Sequence, residues 1–491
     1  MSPPILRFVQ RGQLQACAEV PPDRTLLELL REDLHCTAVK EGCASGDCGA
    51  CTVTLAERDA HGRLRYQAIN SCIRLAHSVD GMALWTAEDI GAADGALHPA
   101  QRAMLECHGS QCGFCTPGFV MSLFALHRQH RGDPVTRDEA LHALSGNLCR
   151  CTGYRPILDA AQTMHHWPES TQDEAATRAQ LEVLSHSDAA QAPDTDPAAA
   201  FYARPRTLAE LLTWRAAHPQ ALLVAGTTDV GLWITKLQRR YAQIIDVTRV
   251  AELRRIERGD AVVTIGAAAT LTEAFDALAE DRPQLMPFFE RFAGRPVRNS
   301  GTLGGNVVNG SPIGDSMPLL IALGATLVLA GAQGERRLPI EDFYLAYRKT
   351  ALAPDEVLRA IEVPRPQPGE YVQAWKISKR LEDDISAVCL ALALQLDGDR
   401  VLSARVGAGG VAAVPARAVK TEAALLGQTL DAATLDAAAE VLRGEFTPIS
   451  DMRASGDYRR QVLGNLLQRV LDELQRGAEP ALAALQPELV R

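Results

Sequence analysis

The chain has 491 residues and a formal net charge of −10 at pH 7. This length exceeds what one hydrophobic core supports, so we expect two to four domains. The negative charge, with basic residues scattered along the chain, argues against a nucleic-acid-binding surface.

The N-terminus and the cysteine content predict the compartment. Met1 leads directly into a strand-like run without the apolar stretch of a secretory signal. Residues 317–333 are uncharged but too short and too interrupted for a membrane span, so we predict a buried helix followed by a strand. Twelve cysteines without a secretory signal indicate a reducing compartment and metal ligation. We expect a cytoplasmic protein.

The first 75 residues or so predict a small β-rich domain. Strand-like runs occur at 5–9 and 14–19, and further strands are expected at 52–55 and 68–72. Thr25 and Glu28 form a capping box that opens an amphipathic helix through Leu34. This order is compatible with a ferredoxin-like β-grasp fold.

A cysteine-rich loop lies inside this domain. Residues 41–51, Glu-Gly-Cys-Ala-Ser-Gly-Asp-Cys-Gly-Ala-Cys, have the Cys-x4-Cys-x2-Cys spacing of a plant-type [2Fe–2S] loop, and Cys72 follows. Three thiolates converging on a small inorganic core require a tightly curled backbone, which the glycines permit. Backbone N–H groups in such a loop can bond the sulfurs. A zinc site or disulfides are the alternatives, although zinc usually takes paired Cys-x2-Cys units.

Residues 85–165 predict four helices, at 99–107, 117–129, 136–144 and 155–165. Two junctions carry cysteine pairs, Cys112/Cys115 and Cys149/Cys151, each just before a helix start. We predict Thr116 as the N-cap of the second helix, with Pro at its first position. Helix N-termini suit an anionic tetrathiolate cluster. Zinc remains the alternative, but one residue between Cys149 and Cys151 is fewer than zinc motifs usually have.

Residues 166–200 lose periodicity and are predicted to form a linker. An α+β region follows, with strands at 222–225, 242–247 and 261–265. Glycine-rich tracts at 226–229 and 298–315 suit close backbone approach to a pyrophosphate, or are ordinary turns.

The C-terminal part, from about residue 385, predicts two or three strands and helices at 432–442 and 457–474. Residues 407–412 match the dinucleotide-binding fingerprint formally, but Pro415 interrupts the required helix, so we reject this interpretation. The histidines show no metal-site spacing. Four cysteines without ligand spacing are predicted to be ordinary apolar residues: Cys17, Cys36, Cys107 and Cys389.

Three motifs together carry a specific resemblance. They are residues 41–53, the stretch Gln-Cys-Gly-Phe-Cys-Thr-Pro-Gly at 111–118, and Asn-Leu-Cys-Arg-Cys-Thr-Gly-Tyr-Arg-Pro at 147–156. With them, the whole chain resembles the small iron–sulfur and flavin subunits of bacterial xanthine dehydrogenases, in the molybdenum hydroxylase superfamily. The resemblance implies two [2Fe–2S] clusters, one on Cys43, Cys48, Cys51 and Cys72 and the other on Cys112, Cys115, Cys149 and Cys151.

The resemblance also implies an FAD site. The first phosphate loop would comprise Leu223, Val224, Ala225, Gly226, Thr227, Thr228, Asp229 and Val230, with Thr227 where relatives often have Gly or Asn. In the second tract, Phe292 would face the isoalloxazine ring, the stretch with Thr302, Gly304, Gly305 and Asn306 would line the pyrophosphate, and Asp315 would hydrogen-bond the cofactor. Leu358 and Lys376 match positions that border the flavin.

The implied fold class is multidomain α+β. It comprises a β-grasp ferredoxin-like domain (1–82), a four-helix [2Fe–2S] domain (83–166), a linker (167–198), a vanillyl-alcohol-oxidase-type FAD domain (199–375) and a C-terminal α+β domain (376–491).

The function implied is an electron relay. Electrons from xanthine or hypoxanthine oxidation on a separate molybdopterin-binding subunit would pass through both clusters to FAD and then to NAD. An α2β2 heterotetramer is expected, without nucleic acid or membrane partners. The alternatives are the equivalent subunit of another molybdenum hydroxylase, acting on an aldehyde or N-heterocycle, a stand-alone NADH diaphorase, or a zinc-stabilised binding module.

Overall fold

The computed structural model describes residues 5–59, 61–91, 95–168, 174–187, 196, 199–381 and 383–475. They form two compact units. The first runs to Val250 and also contains Ala293–Gly301, and the second comprises Ala251–Phe292 and the chain from Thr302 onward.

The first unit begins with a five-stranded sheet. Its strands, in sheet order, are Gln13–Cys17, Leu6–Gln10, Ala83–Trp85, Thr52–Arg58 and Leu64–Asn70. The predicted capping box of Thr25 and Glu28 is present, and the helix Leu26–Glu28 continues as the π-helical turn Leu29–Asp33. This helix buries Leu26, Leu29 and Leu30 in the same core as Cys51 and Cys72. Sequence periodicity therefore predicted four of the five strands and the capped helix, but not the central strand Ala83–Trp85.

Four helices follow, as predicted: Pro99–Glu106, Thr116–His130, Arg137–Leu144 and Arg155–Thr163. The prediction of Thr116 as an N-cap is wrong, because Thr116 is already helical and Cys115 is the residue before the helix. The Thr116 hydroxyl bonds the Ser110 hydroxyl at 2.7 Å instead of a helix N–H.

A further helix, Glu174–Ser187, lies within the predicted linker. The loss of periodicity expected there is wrong for this stretch, because Thr177, Leu181 and Leu184 recur at helical spacing and are buried. Glu174 also accepts a hydrogen bond from the Tyr66 hydroxyl at 2.7 Å. Residues 169–173, 188–195, 197 and 198 of the predicted linker lie outside the described residues.

The rest of the first unit contains a small parallel sheet. Strand Gln243–Asp246 lies between Phe201–Ala203 and Leu222–Val224. The helices of this region are Leu208–Ala217, Val230–Thr235 and Arg295–Ser300. The strand Leu222–Val224 leads directly into the first glycine-rich tract.

The second unit contains an antiparallel five-stranded sheet. Its strands, in sheet order, are Gly334–Pro339, Thr326–Gly331, Val357–Pro364, Val262–Gly266 and Ile256–Arg258. The helices in this part of the unit include Leu271–Asp281, Met286–Glu290, Leu303–Asn309 and Ser316–Ala322. The last of these, followed by strand Thr326–Gly331, confirms the helix and strand predicted for 317–333. Within the described residues, no helix is long and apolar enough to cross a membrane.

A second antiparallel sheet belongs to this unit. It contains Glu370–Ile377, Val388–Asp397, Arg400–Gly409 and Ala416–Arg417, and three helices follow it, Val419–Leu425, Ala432–Glu445 and Gly456–Gln475. Gly407 and Gly409 lie inside a strand paired with Val388–Asp397. A Cβ on Gly407 would lie 2.0 Å from the Pro318 carbonyl oxygen, so packing explains this glycine. Rejection of the dinucleotide fingerprint is confirmed, and the architecture is multidomain α+β as predicted.

Candidate cofactor sites

The first cysteine group lies at the base of the N-terminal sheet. Hydrogen bonds join the Cys43 sulfur to the thiols of Cys48 and Cys72, and Cys72 also hydrogen-bonds Cys51. The structure therefore brings together the four predicted residues, although they span 30 positions of sequence from Cys43 to Cys72. Cys51 and Cys72 are 1% and 2% exposed, whereas Cys43 and Cys48 are half-buried.

Backbone N–H groups already point at a sulfur of this first group. The N–H groups of Ser45 and Cys48 each donate to Cys43 Sγ at 3.4 Å. Gly46 and Gly49 have φ of 82° and 68°, the left-handed conformation that the curl of this loop requires. The loop thus has the backbone shape and the N–H donors that a sulfur-ligated cluster needs.

Hydrogen bonds within this first group favour the thiolate form of Cys43 and of Cys51, because a thiol of Cys72 bonds both sulfurs and lowers the pKa of each. Hydrogen bonds from the thiols of Cys48 and Cys72 lower the pKa of Cys43 well below its ordinary value. The same contact with Cys43 raises the pKa of Cys48 and of Cys72, since a second negative charge would lie beside the first. A metal cluster removes this repulsion by binding the sulfurs as thiolates.

The second group lies where two helices begin. Cys112 hydrogen-bonds Cys151, and Cys115 hydrogen-bonds Cys149. As predicted, each sequence motif lies just before a helix: Cys115 precedes the helix that starts at Thr116, and Cys151 precedes the one that starts at Arg155. Cys149 is buried, Cys115 is half-buried, and Cys112 and Cys151 are exposed. The second group is therefore brought together like the first but is more open to solvent.

Hydrogen bonds lower the pKa of two thiols in the second group, Cys112 and Cys149. Burial raises the pKa of Cys149, but the Thr152 hydroxyl, which donates to Cys149 Sγ at 3.2 Å, and backbone N–H groups lower it by more. Burial and the contact with Cys149 raise the pKa of Cys115 to about 12. The sequence analysis did not identify Thr152, because a hydroxyl donor to sulfur has no sequence spacing of its own.

No three His, Cys, Asp or Glu side chains of the described part of the chain are placed to hold a single metal ion. The assignment of the cysteines of both groups as cluster ligands stays a prediction.

The predicted first phosphate loop, residues 223–230, contains the first glycine-rich tract and lies in the first unit. It runs from strand Leu222–Val224 into helix Val230–Thr235. A Cβ on Gly226 would lie 1.7 Å from the carbonyl oxygen of Ser300, a residue of the second tract. Packing between the two tracts thus requires this glycine, independent of any cofactor. Thr227 is buried and has a φ of 58°, which is unusual for a β-branched residue.

The remaining predicted FAD residues lie in the second unit. Thr302 caps helix Leu303–Asn309, its hydroxyl accepting the Gly305 N–H at 3.0 Å. A Cβ on Gly304 would lie 2.5 Å from the Ala267 carbonyl oxygen, so close packing also explains this glycine. Asn306 accepts a hydrogen bond from the Ser316 hydroxyl at 2.5 Å.

Asp315 and Lys376 form a buried ion pair. Lys376 Nζ lies 2.7 Å from Asp315 Oδ2, and both side chains are 5% exposed. The Ser386 hydroxyl donates to the same Oδ2 at 2.9 Å. Asp315 Oδ1 is buried and has no hydrogen-bond partner among the described residues. A buried acceptor in this state fits a ligand that donates a hydrogen bond, such as a hydroxyl group of FAD.

Two apolar residues complete the predicted set. Phe292 is 8% exposed and packs edge-on against Phe275, with ring centroids 5.1 Å apart. Leu358 is 5% exposed within strand Val357–Pro364. Ser386 and Ser316 were not predicted, although both bond predicted residues. A single serine carries no sequence signal, so only the three-dimensional contacts identify them.

Four family models match the chain. They are described as 2Fe-2S iron-sulfur cluster binding domain (residues 9–76), [2Fe-2S] binding domain (86–162), FAD binding domain in molybdopterin dehydrogenase (196–366) and CO dehydrogenase flavoprotein C-terminal domain (373–474). The chain thus carries two [2Fe–2S] domains and an FAD-binding domain, as predicted.

Curated relatives match nearly the whole chain. Xanthine dehydrogenase of Drosophila subobscura is 34% identical over 525 residues, which cover 94% of this chain and 38% of the relative. Aldehyde oxidase 2 of Mus musculus is 30% identical over 529 residues, covering 96% and 39%. The chain therefore spans about two fifths of the length of these relatives.

Solved structures agree with these matches. A chain of the reconstituted CO dehydrogenase from Oligotropha carboxidovorans is 29% identical with a TM-score of 0.52, and the match covers 56% of this chain and 98% of that one. With two iron–sulfur domains, an FAD domain and a flavoprotein C-terminal domain in one order, the chain belongs to the molybdenum hydroxylase family, of which it carries the iron–sulfur and FAD parts.

Proposed function

We propose that this chain is the electron-transfer subunit of a xanthine dehydrogenase. The observation that carries the proposal is the presence of two separate groups of four cysteines on a chain that also has an FAD-binding domain. Two one-electron carriers joined to a flavin domain suit a relay between a two-electron oxidation and a two-electron acceptor. Electrons would reach the chain from a molybdenum site and leave it to NAD.

The two cysteine groups would hold the two clusters. Cys43, Cys48, Cys51 and Cys72 would bind one [2Fe–2S] cluster, and Cys112, Cys115, Cys149 and Cys151 would bind the other. The N–H groups on Cys43 Sγ and the Thr152 hydroxyl on Cys149 Sγ support this assignment, because such donors stabilise thiolate ligands.

FAD, when bound, supplies two-electron exchange with NAD and one-electron exchange with the clusters. Residues 223–230 and the stretch with Thr302, Gly304, Gly305 and Asn306 would bind its phosphates through backbone groups. The Asp315 carboxylate, held by Lys376 and Ser386, would accept a hydrogen bond from the cofactor at Oδ1. Phe292 and Leu358 would border the flavin ring.

The partner would be a molybdopterin-binding chain in an α2β2 complex, which oxidises xanthine or hypoxanthine. The 34% identity to a xanthine dehydrogenase supports this substrate class. A cytoplasmic location and the domain boundaries given above remain predictions.

A second candidate is the equivalent subunit of another molybdenum hydroxylase. The 30% identity to an aldehyde oxidase favours it, because the same relay would serve a different substrate. A stand-alone NADH diaphorase would instead act without any molybdenum partner.

A reconstitution experiment separates these functions. The chain is purified alone and together with the molybdopterin-binding chain that co-purifies with it from its source, and each preparation is assayed with NADH plus an artificial dye, then with xanthine, an aldehyde and an N-heterocycle plus NAD. We expect dye reduction by the chain alone and NAD reduction with xanthine only in the complex. Preference for the aldehyde or heterocycle would support the second candidate, and xanthine turnover by the isolated chain would contradict the proposal.

A Cys112→Ser variant tests the relay itself. It should retain NADH-dependent dye reduction and lose xanthine-dependent NAD reduction in the complex, because the path between the two half-reactions is cut. Cys107→Ser is the matched control, since Cys107 is half-buried near the same helices and bonds Thr163 rather than a cysteine. Loss of both activities in both variants would indicate misfolding and not a broken relay.

A further inference from the structure

One short segment of the first unit donates several hydrogen bonds to backbone carbonyls at the first cysteine group. Residues 227–236, the end of the first glycine tract and the helix Val230–Thr235 that follows it, supply three side-chain donors. The Thr227 hydroxyl donates to the Ile73 carbonyl at 2.9 Å, the Thr235 hydroxyl to the Ala44 carbonyl at 2.7 Å, and Lys236 Nζ to the Cys43 carbonyl. Every acceptor belongs to a group cysteine or to the residue directly after one.

Backbone packing adds to these hydrogen bonds. A Cβ on Gly231 would lie 2.5 Å from the Ile73 carbonyl oxygen, so the helix lies directly against the peptide that follows Cys72. Leu232 of the same helix packs on the core that contains Cys51 and Cys72. The contact surface therefore excludes water around the Thr227–Ile73 hydrogen bond, and both of these residues are buried.

Thr227 holds its position in a conformation that threonine disfavours. Its φ of 58° brings a β-branched side chain into the left-handed region, which glycine or asparagine occupies more easily. Such strain persists only where the surrounding structure compensates for it. Here the buried hydroxyl–carbonyl hydrogen bond is the interaction that glycine cannot make, and it joins the first glycine tract to the residue after Cys72.

We propose that Thr227 is a positioning residue that couples the FAD loop to the first [2Fe–2S] cluster through its hydrogen bond to the Ile73 carbonyl. The inference rests on the proposed function, since it takes residues 223–230 as the FAD loop and Cys72 as a cluster ligand. The hydrogen bond fixes the peptide after Cys72, and so the environment of the cluster. It also provides a bonded route from Cys72 through Ile73 to the loop. With both groups bound, transfer of one electron between them would oxidise one and reduce the other, and no bond in Thr227 would be made or broken.

Three substitutions separate the hydrogen bond from the strain. Thr227→Val keeps the β-branched shape and removes the donor. Thr227→Ser keeps the donor and removes the branching, and Thr227→Gly removes both. Thr213→Val is the matched control. The Thr213 hydroxyl donates an exposed hydrogen bond to the Ala209 carbonyl within helix Leu208–Ala217 of the same unit.

The readouts are the EPR spectrum and midpoint potential of each cluster in the full-length chain, and the rate at which the first cluster is reduced after mixing with NADH. In Val and Gly variants we expect an altered spectrum and a shifted potential for the first cluster, with slower reduction. The Ser variant should match the parent, and the second cluster should be unchanged in all of them. Thr235→Val provides a second test of the same contact and should alter the first cluster in the same selective way.

Two results would overturn the inference. One is a parent-like first cluster and reduction rate in the Val variant. The other is a first cluster whose spectrum, potential or reduction rate changes in the Ser and Gly variants but not in the Val variant, because the effect would then come from the backbone strain and not from the hydrogen bond. A parent chain that lacks FAD or either [2Fe–2S] signal would overturn the proposed function as well, whereas full cofactor content with a parent-like Val variant would overturn the inference alone. If the Val variant does not fold, a parent-like first cluster in Thr235→Val decides against the coupling.

Discussion

The two cysteine groups each contain four cysteine sulfurs, but in different surroundings. In the first group, Cys51 and Cys72 are within the core of the N-terminal sheet and are 1% and 2% exposed. In the second group, Cys112 and Cys151 are exposed, and only Cys149 is buried. The first group is built into a β-sheet domain, and the second lies at the ends of two helices.

This difference in burial should affect two properties separately: the folding stability of the domain and the access of solutes to the cysteine sulfurs. A sulfur buried among apolar side chains contributes to the packing of its domain, so its loss should affect folding as well as ligation. An exposed sulfur contributes little to packing, so its loss should affect ligation alone. Exposure should also admit solutes to a cluster bound by the second group in the isolated chain. The predictions below test this contrast.

Replacing one ligand in each group should have the largest effect. Cys72→Ser and Cys112→Ser should each lower the iron content from about four to about two atoms per chain. Only Cys72→Ser should also destabilise the apoprotein, by roughly 1–3 kcal/mol, because a serine hydroxyl replaces a buried sulfur. Iron analysis and thermal unfolding of chelator-treated samples measure the two effects. Equal destabilisation by both variants would contradict the contrast.

The second unit offers the same comparison between a buried and an exposed site, here for ion pairs and the unfolding free energy that each contributes. Lys376→Met leaves Asp315 buried and uncompensated and should cost about 3–5 kcal/mol of unfolding free energy, with weaker FAD binding. The control is Arg380→Met, whose Arg380–Asp384 pair has side chains 59% and 23% exposed and should change stability by less than about 1 kcal/mol. Denaturant unfolding and flavin fluorescence titration measure these effects. Similar costs for both variants would refute the prediction.

Acid should weaken the helical domain of the second group. Burial lowers the pKa of His98 to about 2, with the charges of His127 and Arg128 acting in the same direction. His98 Nδ1 also accepts the Ala100 N–H, which protonation would prevent. The unfolded chain takes up a proton near pH 6.5, so stability should fall by about 1.4 kcal/mol per pH unit below that value and continue to fall toward the folded pKa.

The pH dependence can be tested with His98→Asn, which keeps an N-cap acceptor and removes the titrating group. Burial also lowers the pKa of His77, so some acid sensitivity should remain. Thermal unfolding between pH 7.5 and 5 should show a shallower slope for the variant. An unchanged slope would show that His98 is not responsible.

The smallest effect expected is a difference in cluster loss. A chelator added to the isolated chain should remove the second cluster several-fold faster than the first, because Cys112 and Cys151 are exposed. The decay of the two EPR signals measures the rates. Faster loss of the first signal would show that exposure of the sulfurs does not control access.

The sequence predicted the cysteine groups well and the flavin region less completely. Close spacing and glycines revealed the loop with Cys43, Cys48 and Cys51, because tight chain geometry is local. The Glu174–Ser187 helix was missed although Thr177, Leu181 and Leu184 recur at helical spacing, because these few buried positions stand in an otherwise mostly polar stretch. Gly226 and Gly304 are predicted as cofactor contacts, and the structure adds a packing role for each that the sequence did not indicate. Such long-range approaches leave no local pattern.

The central claim is that one chain carries two distinct [2Fe–2S] clusters and FAD. It is tested most directly by metal and flavin analysis of the purified full-length chain, combined with EPR of the dithionite-reduced protein. We predict about four iron atoms and one FAD per chain and two resolvable [2Fe–2S] signals. Bound zinc with no visible charge-transfer absorption, or a single cluster signal accounting for all the iron, would contradict the claim.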